Sequence, residues 1–166
     1  MTTKADFTNE EWLNISKAPM SVGGLVIMAS FSVGDAIFET MSIGKKLAEL
    51  AQSSAGSDTL MAALATEYTD KENSKELKES IKPSKEESRD PAAFKAKMLG
   101  DLKSAVAAID GKASPEEATQ LKEWLYSVGE ATANAAKEGD FMGIGGQRVS
   151  PEEEAVLAEI KTTLGL

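Results

Sequence analysis

No cysteine and no histidine occur in the 166 residues. The first absence excludes a disulfide framework, a thiolate nucleophile and a thiolate zinc site; the second excludes a Ser-His-Asp triad and imidazole metal ligation. Arginine is almost missing too: Arg89 and Arg148 are the whole complement, and 18 Lys+Arg stand against 27 Asp+Glu for a net charge of -9. Phosphate backbones and anionic lipid surfaces are bound through clustered positive charge, so nucleic acid and membrane are both disfavoured as partners. Long apolar runs are equally scarce. The longest uncharged run, Ala18 to Gly34, contains Pro19, Gly23, Gly24 and three serines, and reads as a buried segment rather than a membrane span. Asp6, Glu10 and Glu11 occupy the place where a secretory signal carries basic residues, which leaves a soluble cytoplasmic protein as the expectation.

What is present is helix-forming. Alanine occurs 24 times against 15 for valine and isoleucine together. No stretch alternates apolar and polar residues with the period of a strand, so the expected fold class is all-α. A single helical domain over residues 1–166 suits this length, with about six or seven helices in a compact bundle, either undivided or in two helical halves.

The helix starts are punctuated. Thr8 with Glu11 makes a capping box, with Phe7 and Trp12 as its hydrophobic staple, so a first helix runs from near Asn9 to before Pro19. Pro19 then opens a second helix to about Ser30, in which the Gly23-Gly24 pair permits close helix contact. A third helix, Val33 to Gln52, places Val33, Ile37, Met41, Gly44, Leu47 and Ala51 on one face. Ser57 caps a fourth, with Leu60, Met61, Leu64 and Tyr68 as its stripe. From Asp70 to Asp90, seven acidic and six basic residues leave Leu77 and Ile81 as the apolar anchors. That is the pattern of a solvated helix ending before Pro83, or of a charged connector over residues 70–90. Asp90-Pro91 opens a helix carrying Phe94, Met98, Leu102, Val106 and Ile109. Ser114-Pro115-Glu116-Glu117 opens the next, through Leu121, Trp124, Leu125, Val128 and Ala135 to a stop at Gly139. Ser150-Pro151-Glu152-Glu153 opens the last, through Val156, Leu157, Ile160 and Leu164.

Groups able to do chemistry are few. Phe141-Met142-Gly143-Ile144-Gly145-Gly146-Gln147-Arg148 looks superficially like a phosphate loop ahead of a helix N-terminus. Its spacing matches neither G-x-G-x-x-G nor G-x-x-x-x-G-K-[ST], and Glu152, Glu153 and Glu154 fill the position a phosphate would take. It reads as a tight connector at 143–146 with Phe141, Met142 and Ile144 tucked into the core. Asp35 and Glu39, four apart, form a carboxylate pair that would need further oxygens from elsewhere to hold a hard cation. They lie opposite the apolar stripe, as solvated charges do. In the Glu67, Asp70, Glu72 cluster, Lys71 and Lys75 neutralise the charge. Trp12 and Trp124 read as core residues. Met20, Met28, Met41, Met61, Met98 and Met142 either fill an irregular core or line an adaptable groove.

Several segments together carry a resemblance: Phe7-Thr8-x-Glu10-Glu11-Trp12 with Ala18-Pro19-Met20, the Ala-rich helix before Ser114-Pro115-Glu116, and Glu138-Gly139-Asp140-Phe141-Met142-Gly143-Ile144-Gly145-Gly146-x-x-Val149-Ser150. The chain resembles a group of small bacterial all-helical proteins over most of its length apart from residues 55 to 90. The resemblance implies a helical fold and brings no activity, cofactor or catalytic residue with it. In size, acidity and helicity the chain is more distantly similar to the TerB-like tellurite-resistance proteins, a likeness that implies metal binding through acidic residues. The expected function is a non-enzymatic interaction or structural module without a cofactor, whose partner is another protein or a second copy. The alternative is an acidic metal-binding or stress-response module of TerB-like type.

Overall fold

The computed structural model describes residues 2–29, 33–54, 56, 59–138 and 149–166, with the side chains of 33–40, 88 and 136–138 left aside. Among the described residues there are seven α-helices and no strand: α1 (Asn9–Ala29), α2 (Val33–Ser53), α3 (Leu60–Thr69), α4 (Lys71–Ile81), α5 (Pro91–Lys112), α6 (Pro115–Glu138) and α7 (Pro151–Leu164). None is long and apolar enough to cross a membrane.

The helix starts follow the punctuation. Thr8 N–H donates to Glu11 Oε2 at 2.7 Å and Glu11 N–H returns a bond to Thr8 Oγ1 at 3.2 Å, closing the first capping box. The Phe7 and Trp12 rings stand 5.8 Å apart as the staple. Ser114 and Glu117 close a second box and Ser150 and Glu153 a third, while Asp90 accepts from Ala92 N–H and Ala93 N–H ahead of Pro91. The α3 cap is Thr59, which accepts from Ala62 N–H; Ser57, expected in that role, lies outside the described residues. So does Gly139, the expected stop of α6.

The charged stretch is a helix for half its length. Asp70 caps α4 by accepting from Glu72 N–H and Asn73 N–H, and Leu77 is its buried anchor. The helix ends because Pro83 drives Lys82 into an extended conformation, with ψ at 133°.

The two helices expected on either side of Pro19 are one. Proline has no N–H and its ring crowds the carbonyl four residues back, a defect worth roughly 3 kcal/mol in a helix interior. The neighbours of α1 offset it. This helix lies against α5 most extensively, and also against α6, α2, α7 and α4. It therefore buries a broad face, from Trp12 and Ile15 through Ala18, Pro19 and Val22 to Leu25 and Val26, and leaves Leu13 and Met28 toward solvent. At the proline turn the Tyr68 hydroxyl reaches in from α3 and donates to the Ser16 carbonyl at 2.5 Å. Burial, with the charge of Glu67 beside it, pushes the Tyr68 phenol above its ordinary value and keeps it a donor.

Glycine sets the closeness of this packing. A Cβ on Gly23 would stand 2.1 Å from Ile43 Cδ1 and 2.6 Å from its Cγ1, so α2 crosses α1 where only hydrogen fits. Gly129 plays the same part in α6, where a Cβ would meet Val22 and Leu157 at 3.1 Å each. The core face of α2 is consequently Ile43, Leu47 and Leu50, a rotation away from the expected stripe: Met41 is 66% exposed and Gly44 has no neighbour within reach of a Cβ. Gly23→Ala is expected to destabilise the protein by about 1–3 kcal/mol in chemical denaturation, because Ile43 must leave its rotamer. Gly44→Ala, in open space, is expected to stabilise it by about 0.5–1 kcal/mol.

Candidate functional site

The acidic residues that the sequence offers for chemistry turn out to be divided among structural tasks. Glu67 points inward, where its Oε1 accepts from Trp12 Nε1 at 2.8 Å and from Lys4 Nζ at 2.6 Å. The ammonium of Lys4 also lies over the Trp12 ring. A carboxylate only 8% exposed is sustained by such donors, since an unpaired one would be strongly destabilising. Its neutralising cation is thus Lys4, not Lys71 or Lys75, both of which are exposed. Asp70 is spent as the α4 cap, and Glu72 faces solvent. The Glu67, Asp70, Glu72 cluster of the sequence is therefore three separate groups. The side chains of Asp35 and Glu39 lie outside the described residues, and among the described residues no three acidic side chains converge on a point where a metal ion would sit.

Glu117 gathers more donors than a capping box needs. Its oxygens accept from the Ser114 hydroxyl at 2.7 Å, the Thr2 N–H at 3.0 Å and the Thr2 hydroxyl at 2.8 Å, which ties the N-terminal strip to the start of α6. The Ser114 hydroxyl, then the Thr2 groups, hold this carboxyl down to about 2. Because the folded value lies below the ordinary 4.5, the stabilisation is complete above pH 4.5 and is lost as pH falls toward 2. Glu117→Gln is expected to flatten the acid limb of the stability–pH curve over that window, as followed by urea denaturation at stepped pH.

The methionines divide as well. Met98 is 7% exposed and Met20 and Met61 are half-buried, whereas Met28 and Met41 reach solvent; Met142 lies outside the described residues, as does the glycine-rich turn at 143–146. Trp12 is core, and Trp124 is half-buried against it.

The exposed methionine of α2 borders a depression lined mainly by apolar surface. A groove of about 440 Å³ runs between α2 and α6, lined by Met41, Lys45, Lys46, Glu49, Ala131 and Ala135. Lys46 leans toward Glu49 at 3.7 Å and Lys45 is exposed, so the groove sets the apolar surface of Met41, Ala131 and Ala135 beside Ser42, Asn134 and a basic edge in an otherwise acidic chain. Lys45 and Lys46 went unremarked in the sequence reading. The signal for Lys45 was its place four residues beyond Met41, which on a helix sets it beside that methionine; the spacing of Lys46 gives none. No protein-family model, curated protein or solved structure matches this chain.

Proposed function

We propose that this chain is a non-enzymatic interaction module whose docking surface is the outward face of α2. The reading is carried by Met41, a flexible apolar side chain 66% exposed beside the groove against α6, with the Lys45–Lys46 pair on its edge. Methionine adapts to varied apolar partners, and a basic edge selects one whose flank is acidic. The occupant that fits is an amphipathic helix with acidic residues along its margin, supplied by another protein. A second copy of this chain is the other outcome of the test. The reading takes the chain as a soluble cytoplasmic protein of bacterial origin that engages neither nucleic acid nor membrane, on the strength of its acidity and of its sequence resemblance to small bacterial helical proteins.

Size-exclusion chromatography with light scattering separates self-association from capture of another protein. Met41→Glu is expected to leave the melting temperature unchanged and to weaken either association about tenfold, near 1.4 kcal/mol. A strict monomer that retains no reproducible partner would count against the reading.

The acidic metal-binding alternative of TerB-like type draws its support from the excess of 27 carboxylates over 18 cationic side chains, with Asp35 and Glu39 as its nearest pair. A cation bound to the folded state alone would add about 2.7 kcal/mol at a hundredfold excess over its dissociation constant. The expected result is an unchanged melt of metal-stripped protein with calcium, magnesium, manganese or zinc; a rise of several degrees with one of them would transfer the reading to that alternative.

A further inference from the structure

Sulfur in this chain is all thioether, since cysteine is absent and methionine occurs seven times. The methionines with described side chains differ in their surroundings. Met98 is buried, and a Cβ on Gly24 would stand 2.9 Å from its Sδ, so it is held between α5 and α1. Met20 and Met61 are half-buried against the core. Met28 is 36% exposed near the end of α1, and Met41 is 66% exposed in the middle of α2. An oxidant in solution therefore meets Met41 most openly among them.

The fold also depends little on Met41. Ile43, Leu47 and Leu50 make the core face of α2, and Gly44, on the turn beyond Met41, stands in open space. A change of polarity at Met41 alters the surface and leaves the bundle intact, whereas the same change at Met98 would enter the core. Lys45 stands exposed one turn along from Met41, on the edge of the groove.

We propose that Met41 is an oxidation site that controls the docking face: hydrogen peroxide converts it to the sulfoxide, and the face then releases its apolar occupant. The thioether sulfur attacks one peroxide oxygen. An S–O bond forms, the O–O bond breaks, sulfur gives up two electrons, and the other oxygen leaves as water with the proton of the first. The product is neutral and polar, and its oxygen is a strong hydrogen-bond acceptor where apolar contact surface stood. The Lys45 ammonium, one turn away, is a donor for that oxygen and is drawn by it from an acidic partner. The chemistry at sulfur stands by itself, while its effect on docking rests on the reading of α2 given above.

The test treats the full chain with hydrogen peroxide for graded times and maps the sulfoxides by peptide mass spectrometry. Each sample is titrated with a synthetic amphipathic helix that carries leucine on one face and glutamate along its margin. Met41 is expected to oxidise about twofold faster than Met28 and about tenfold faster than Met98, and peptide binding to fall about fivefold in step with the Met41 sulfoxide. The melting temperature is expected to stay where it was. Methionine sulfoxide reductases, one for each epimer at sulfur, are expected to restore binding. Met41→Leu is expected to bind the peptide equally before and after peroxide, and Met28→Leu to lose binding on oxidation as the unsubstituted chain does. Oxidation of Met20 or Met98 ahead of Met41, equal affinity of the reduced and Met41-oxidised chains, or a melting temperature that falls with the Met41 sulfoxide would each overturn the proposal and leave the docking face standing. A reduced chain that does not take the peptide overturns the docking reading, and the control over it as well, whatever the order of oxidation.

Discussion

A helix packed against several others must pair the backbone groups of its buried face and can carry there no side chain larger than its neighbours leave room for. Helix α1 meets both conditions with residues that ordinarily weaken helices. Pro19 removes one N–H from its middle, and one residue along from the carbonyl that loses this donor Tyr68 donates to the Ser16 carbonyl; Gly23 removes the side chain that would hold α2 away. The two features act on successive turns. If α2 stood off by the width of a methyl group, Ile43, which is 2% exposed, would lose its seat against α1. The outward rotation of α2 that exposes Met41 follows from the same crossing, because Ile43, Leu47 and Leu50 are the residues turned inward. The candidate docking face is in this sense a consequence of how closely α1 is approached.

The helix ends were legible from sequence because they are local. Each capping box is satisfied within four residues, so Thr8, Ser114 and Ser150 announce their helices whatever packs around them. The interior of α1 was not legible, since whether Pro19 begins a helix or is tolerated inside one depends on neighbours distant in sequence, Tyr68 among them. The face of α2 was misread for a related reason. Met41, Gly44 and Leu47 fit a helical stripe as well as Ile43, Leu47 and Leu50 do, and periodicity alone does not say which of two overlapping stripes faces the core.

The excess of acidic residues takes on a different meaning once their partners are known. Glu11, Glu117 and Glu153 complete capping boxes, Asp70 and Asp90 cap helices outright, and Glu67 holds Lys4 and Trp12. Such groups are committed to backbone N–H donors or, for Glu67, to the Trp12 indole and the Lys4 ammonium, and recruiting one to a metal ion would uncap a helix or strand its partner. The carboxylates with no such duty are spread over solvated faces, as on α4, where converging oxygens are hard to assemble.

Lysines, being the minority, are more informative about where a ligand would sit. About half form ion pairs with acids across or along helices, such as Lys112 with Glu11, Lys122 with Asp110 and Lys95 with Glu159. Those pairs stand mainly on the rim of the bundle, where they contribute little beyond solubility. Lys45 on α2 is set apart by its place, four residues beyond an exposed methionine at the edge of the groove. A net charge of -9 repels anions at long range, and that repulsion is screened beyond about 8–10 Å at ordinary salt. Contact with an anion is then decided by the local groups, and at the groove between α2 and α6 apolar surface and positive charge lie side by side.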